Sequence, residues 1–305
     1  MHCYVSAHPG AGRAISAETV EQALTLFASL GIFDLRLTGG EATIHPEFEG
    51  ILNRARMSGF RLRLITNGKR LLRASAARDW LRQIASCWVS AYGPTDAIHR
   101  SISQGSAPPL SEILATVGDF AREGHDIGVS VLLVPESASE VETLLDRAIS
   151  AGIRRVRLLP VEPEGRAMGL PDVAWAGWPD ELRDLYQRLI SRNYGTSFDV
   201  LTMNDPFDVA DRFPAAEHSC LLRTRRMPSV VPNGDVYPCC FTVYDPERRL
   251  GNVSDPEIRY RLRGIHPIGD HSTPCRALES GFWQGVPDNE ATCPISAVTL
   301  IRHDA

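Results

Sequence analysis

The sequence predicts an α/β fold built on a parallel sheet, followed by a small C-terminal extension of β-hairpin and helix rich in cysteine. Short apolar, β-branched runs alternate with stretches of helical periodicity. The loops between them are short, which calls for parallel strands joined by right-handed crossovers. Five of the seven cysteines lie after residue 219, where the alternation stops and an Asn-Gly hairpin signal appears. The expected division is residues 1–214 for the α/β part and 215–305 for the extension.

At 305 residues the chain suits one large domain with a small appendage. A net charge of -5 argues against a nucleic-acid surface driven by positive charge. No apolar run reaches membrane-spanning length, and the start lacks a basic region followed by an apolar one. The expected location is therefore the cytoplasm, with no membrane partner. Disulfides are disfavoured there, so spaced cysteines point to metal or redox chemistry. Of the 32 basic residues only Lys69 is lysine, which reads as codon bias in a GC-rich genome, where start sites are easily misplaced.

Each element follows from its pattern. Val20, Leu24, Phe27 and Leu30 recur at helical spacing over residues 19–30, and Gly31 suits the helix end. The strand at 32–37 runs into Gly39-Gly40-Glu41. A helix at about 46–57 places Phe48, Ile51 and Leu52 on one face, and a strand at 61–66 ends in Thr66-Asn67-Gly68. After a helix to about residue 84 comes the strand at 87–93, in which Cys87 is read as a core residue. Helices at about 110–123 and 140–151 precede strands at 127–134 and 155–160. A loop at 162–167, a helix at about 179–193 and a short strand near 198–201 close this part.

The chemistry sits at strand ends. Two successive glycines at a strand's carboxyl end let a ligand approach the backbone closely, and Glu41 offers an acceptor to a positively charged group. This resembles the Gly-Gly-Glu motif of the radical S-adenosylmethionine (SAM) enzymes, which binds the amino group of SAM. Here Ala42 stands where that family usually has proline. Thr66-Asn67-Gly68 resembles the family's segment near SAM. Ser90 falls where the family often places a hydroxyl contacting SAM, although Tyr92-Gly93 replaces the usual aspartate-glycine.

His2-Cys3-Tyr4 resembles the end of the C-x3-C-x2-C motif that holds the catalytic four-iron four-sulfur cluster. The resemblance makes Cys3 a cluster ligand and counts His2 and Tyr4 among the cofactor-binding residues, His2 packing near the adenine. The other two cysteines would precede Met1, so either Met1 is an internal methionine or the cluster site is degenerate. The implied fold is a partial (β/α)6 TIM-type barrel with its first strand missing, and polar motifs at carboxyl strand ends agree with it.

Beyond the barrel, Gly165-Arg166-Ala167 resembles a segment common in radical SAM proteins with an additional cluster, where Arg166 would pair with a carboxylate of SAM or substrate. An ordinary exposed arginine is the other reading. The region from Cys220 through the Asn233-Gly234 hairpin resembles the SPASM/twitch extension of the same enzymes. Cys220, Cys239, Cys275 and Cys293 would supply the four thiolates of one auxiliary four-iron four-sulfur cluster. Zinc is the chemical runner-up, although its short C-x2-C pairs are absent. The sequence does not tell the adjacent Cys239 and Cys240 apart as ligand and spare; with Cys239 as the ligand, Cys240 is left over, either as a packed thiol or as a catalytic hydrogen-atom donor.

The resemblance implies reductive cleavage of SAM and abstraction of hydrogen from a substrate carbon, with a flavodoxin or ferredoxin as electron donor. The main expectation is a small natural-product substrate, such as an antibiotic aminosugar, undergoing dehydrogenation or epimerisation. One alternative is a maturase of ribosomal peptides. Another, of a different class, is a non-catalytic iron–sulfur electron-transfer protein.

Overall fold

The computed structural model describes residues 14–161, 178–192, 194, 198–203, 228–238, 240, 243, 246–264 and 298–301. Helix and strand alternate as the sequence pattern requires. In chain order they are α1 (Ala17–Ser29), β1 (Asp34–Leu37), α2 (Phe48–Met57), β2 (Arg61–Thr66), α3 (Ala77–Gln83) and β3 (Ser86–Ala91). Then follow α4 (Asp96–Ser103), α5 (Leu110–Arg122), β4 (Ile127–Leu133), α6 (Val141–Ser150), β5 (Arg155–Pro160), α7 (Trp178–Ser191) and β6 (Asp199–Met203). The six strands lie side by side in chain order, each parallel to the next. All carboxyl ends therefore emerge along one edge. That edge carries the candidate site.

Four helices stop in the same way, which explains why strands begin where they do. At the end of α1, the Ile32 N–H donates to Phe27 O and the Gly31 N–H to Ala28 O. The same pair of bonds closes α2 (Phe60 and Gly59), α5 (His125 and Gly124) and α6 (Ile153 and Gly152). The glycine of each stop is left-handed, with φ between +72° and +90°. That conformation is cheap only without a Cβ, and the next residue is then aimed back at the sheet.

One apolar cluster lies between sheet and helices. Leu62, Leu64 and Thr66 of β2 are buried on the helix side, while Arg63 and Ile65 alternate onto the other face. Leu52, Leu110, Ile113, Leu144 and Leu145 are fully buried against the sheet from α2, α5 and α6. Each such side chain contributes roughly 1.5–3 kcal/mol relative to exposure.

The opposite face is more polar. Trp88 of β3 is in register with Gly128 of β4. The guanidinium carbons of Arg155 and Arg157 lie 4.8 and 4.6 Å from the Trp88 ring centroid. A Cβ on Gly128 would meet Arg155 O at 2.6 Å and the Trp88 ring at 2.8 Å, so this mid-strand glycine lets the indole lie over its own backbone.

Two differences from the sequence expectation concern elements between β1 and β6. The stretch read as a short closing strand is a sixth parallel strand, paired with β5 from Arg155↔Asp199 to Leu158↔Thr202. The crossover through α7 is long enough to return the chain in parallel. Helix α4 was not expected, because its polar sequence buries only His99 and Ser103. Its start is fixed by the Thr95 hydroxyl, which accepts the Ile98 N–H at 3.2 Å.

The Asn-Gly signal forms the expected hairpin. Strands β7 (Ser229–Val230) and β8 (Asp235–Tyr237) pair antiparallel, β9 (Gly251–Asn252) joins β8, and α8 (Ile258–Gly264) follows. A last strand, β10 (Val298–Ile301), returns to the large sheet antiparallel to β6. The expected boundary at residues 214 and 215 lies outside the described residues. No helix among the described residues is long and apolar enough to cross a membrane.

Candidate functional site

The carboxyl ends of β1 and β2 meet at one carboxylate. Beyond β1 the chain passes through Gly39, with φ +128° and open space where a Cβ would stand. Thr38, Gly39 and Gly40 are exposed. Glu41 then caps a short 3₁₀ turn, Ala42–Ile44, and its half-buried side chain folds back toward β2.

Oε1 of Glu41 accepts from Thr43 N at 3.1 Å, Thr43 Oγ1 at 2.6 Å and Thr66 Oγ1 at 2.7 Å. Oε2 accepts the Asn67 N–H at 2.6 Å. An ionised carboxylate offers about four lone-pair directions, two on each oxygen, so Oε2 keeps room for one more donor. Glu41 makes no ion pair among the described residues. A carboxylate held only by neutral donors keeps its charge available to a ligand cation. This fits the amino end of SAM, for which the resemblance selects Gly39, Gly40 and Glu41.

The turn after β2 is built to deliver these donors. Gly68 is left-handed at φ +83°, and a Cβ there would lie 2.8 Å from Val89 Cγ1. Its N–H donates to Thr66 Oγ1 at 3.0 Å. Asn67 gives its backbone N–H to Glu41, while its side-chain oxygen accepts the Lys69 N–H at 2.8 Å. Arg70 Nη1 donates to Thr43 O and the guanidinium lies 5.4 Å from the Trp80 ring centroid, tying the 3₁₀ turn to the start of the next helical layer.

Ser90 is on β3, one strand further along. Thr66 is in register with Val89, which places Ser90 beside Asn67, and Ser90 is half-buried. The following Tyr92-Gly93 turn is pinned by His99: the Tyr92 N–H donates to Nδ1 at 3.0 Å, and Nε2–H donates to Pro108 O at 2.8 Å. Those two bonds fix the neutral tautomer. Burial holds the imidazole below its ordinary value. Gly93 is required here because a Cβ would lie 2.4 Å from Ile98 Cγ2.

The structure thus gathers Gly39, Gly40, Glu41, Asn67 and Ser90 along one sheet edge. Cys240, half-buried near the β7–β8 hairpin, belongs to another part of the chain. Cys87 is buried at the start of β3, as expected of a core residue, and desolvation pushes its thiol far up. The expected cofactor residues His2, Tyr4 and Arg166, and the expected cluster ligands Cys3, Cys220, Cys239, Cys275 and Cys293, lie outside the described residues. Among the described residues no group of three or more His, Cys, Asp or Glu side chains is placed to hold a metal ion. Sequence reasoning missed Thr43, Thr66 as a side chain, and His99. The only signal for the first two was a hydroxyl residue two positions after Glu41 and another just before Asn67.

The profile of the Radical SAM superfamily matches residues 1–148, which form a domain of that superfamily. Such a domain implies SAM and a four-iron four-sulfur cluster as cofactors. The mycofactocin maturase MftC of Mycobacterium tuberculosis is 24% identical over 258 residues, covering 80% of this chain and 62% of that protein. The PqqA peptide cyclase of Ruegeria pomeroyi is 26% identical over 267 residues, covering 82% and 66%. The chain therefore spans less than two thirds of the length of these relatives.

Among solved structures, Streptococcus suis SuiB bound to SAM is similar with a TM-score of 0.66 at 13% identity, covering 96% of this chain and 68% of that one. SuiB bound to its precursor peptide SuiA gives 0.65 at 13% identity, covering 90% and 64%. At such identity these structures speak for the fold alone, an α/β fold on a parallel sheet.

Proposed function

We propose that this chain, with a Radical SAM superfamily domain over residues 1–148, is an enzyme that reductively cleaves SAM and abstracts a hydrogen atom from a peptide substrate. The observation that carries the SAM reading is the Glu41 carboxylate, fixed by four neutral donors with an acceptor direction left on Oε2. In this reading Glu41 takes the ammonium of SAM, Gly39 and Gly40 let it approach the backbone, and Ser90 offers a hydroxyl one strand away. Cys3 would be one ligand of the catalytic cluster. When bound, SAM and the cluster supply the carbon radical. The chain's own residues orient the ligand and exclude water from it.

The peptide reading displaces the aminosugar expectation. Its support is that one relative is named a peptide cyclase and another a maturase, and that the similar SuiB structure holds a precursor peptide. Nothing in the described residues favours a sugar. The auxiliary cluster on Cys220, Cys239, Cys275 and Cys293 remains part of the proposal, as does an electron donor of the flavodoxin or ferredoxin type. Dehydrogenation and epimerisation are the two proposed outcomes; in the second, the Cys240 S–H would return a hydrogen atom to the substrate carbon, and in the first the four thiolates would hold a group able to take up an electron.

The test is anaerobic incubation of the reconstituted protein with SAM and dithionite. Formation of 5′-deoxyadenosine above background is expected, rising when a short precursor peptide is added and lost in Glu41→Gln. No cleavage under any condition would leave the electron-transfer alternative standing. Stimulation by an aminosugar and not by peptide would restore the original substrate expectation.

A further inference from the structure

We infer that Thr66, with Thr43, is a positioning residue that sets the direction in which Glu41 receives a ligand's ammonium. This rests on the reading of Glu41 as the acceptor for the amino group of SAM. The two threonine hydroxyls and the Thr43 N–H all converge on Oε1, at 2.6–3.1 Å. Three donors on one oxygen saturate it. Any further donor must then come to Oε2, on the side away from the 3₁₀ turn and beside the Asn67 N–H. Without the hydroxyls the carboxylate can rotate about its last torsion, which is soft and roughly two-fold, and the spare acceptor direction is no longer fixed.

Thr66 is the stronger of the two. Its side chain is 2% exposed at the end of β2, and its hydroxyl is doubly committed. It accepts the Gly68 N–H at 3.0 Å and donates to Glu41 Oε1 at 2.7 Å, so the proton of the hydroxyl has one direction available. The chain Gly68 N–H to Thr66 to Glu41 makes the loop after β2 the jig for the loop after β1. Buried hydrogen-bond chains of this kind strengthen their members and fix a single arrangement. Thr43 is fully buried and closes the other side, its own carbonyl held by Arg70.

The experiment compares equilibrium binding of two probes to the purified full chain: SAM, and 5′-methylthioadenosine, which lacks the amino and carboxylate groups. Thr66→Val keeps the shape and removes the hydroxyl. It is expected to weaken SAM about tenfold, the scale of a hydrogen bond to a charged group, and to leave 5′-methylthioadenosine unchanged. Thr66→Ser should restore SAM binding, and Thr43→Val should act in the same direction as Thr66→Val.

Unchanged SAM affinity in both valine variants would overturn the inference. So would an equal loss of both probes, or failure of serine to rescue, since either marks a merely structural threonine. If Glu41→Gln itself leaves SAM affinity unchanged, the reading of Glu41 fails, and that outcome is distinct from the others.

Discussion

Two carboxylates, each at the end of a short strand or turn, are held in opposite ways. Glu41 is held by the Thr43 and Asn67 backbone N–H groups and by the Thr43 and Thr66 hydroxyls, none of them charged. Asp235, at the start of β8, is held by Arg249 at 2.6 Å, by Asn252 Nδ2 at 3.0 Å and by Asn233 Nδ2 at 2.9 Å. The Arg249 hydrogen bond is the main cause that keeps the Asp235 carboxyl below its ordinary range, with Asn252 and Asn233 adding to it. Asp235 is thus neutralised by a cation of its own chain and serves the hairpin. Glu41 accepts four hydrogen bonds, but its charge has no counterion among the described residues. In the proposed function that unneutralised charge is what reads the ligand, whereas the Asp235 charge is spent on the hairpin.

The sharpest way to break this contrast is to remove each charge in turn. Glu41→Gln retains one oxygen for the cradle and loses the net charge. It is expected to weaken SAM by roughly 10- to 100-fold in equilibrium binding, while Asp235→Asn leaves it unchanged. If Asp235→Asn weakened SAM as much, the contrast would collapse. Thermal melting should show the reverse order. Asp235→Asn is expected to lower Tm by about 3 °C, a small figure because Arg249 is half exposed and solvent screens the pair.

A third comparison uses acid. Because the folded Asp235 carboxyl titrates below its ordinary value of 3.8, the folded state binds its proton less readily than the unfolded chain. Its contribution is fully present above about pH 4 and is lost as pH falls through the folded value. The difference in Tm between the native chain and Asp235→Asn should therefore shrink below that pH. A constant difference down to pH 2.5 would remove the charge explanation.

How much of this was legible in the sequence depends on whether the cause was local. The helix stop at Gly31 was legible as a glycine followed by the next strand, and the alternating fold could be read from the apolar periodicity, whereas the matching stops at Gly59, Gly124 and Gly152 emerged only with the structure. The Asn233-Gly234 turn was legible for the same reason. Gly39-Gly40-Glu41 and Thr66-Asn67-Gly68 could be found as strand-end motifs, but not that the second grips the first. That contact spans 25 residues and depends on β1 lying beside β2. Gly128 is the clearest failure. Nothing near it in sequence says that Trp88 must cross over it to reach Arg155 and Arg157, since that is a matter of register between three strands. Helix α4 escaped because its stability comes from a threonine cap and a buried histidine rather than from an apolar stripe.

That histidine gives the smallest effect, and it tests whether a clamp without formal charge behaves as the contrast implies. His99 is 2% exposed and neutral, accepting from Tyr92 and donating to Pro108. Protonation at Nδ1 would set two N–H groups against each other, and burial already lowers the folded value below the ordinary 6.5. The unfolded chain therefore takes up its proton first as pH falls. The stability His99 contributes is complete above about pH 6.5 and declines as pH drops from there toward the folded value. A fall in Tm of about 1 °C between pH 7.5 and 6 is expected in the native chain. His99→Gln, which cannot take up a proton, should be less stable at pH 7.5 but flat over that interval. An equal slope in the variant would place the titrating group elsewhere. Since His99 pins the turn that follows Ser90 while Glu41 and Asn67 belong to the two strands before it, SAM affinity should follow the same pH dependence only if Ser90 touches the ligand.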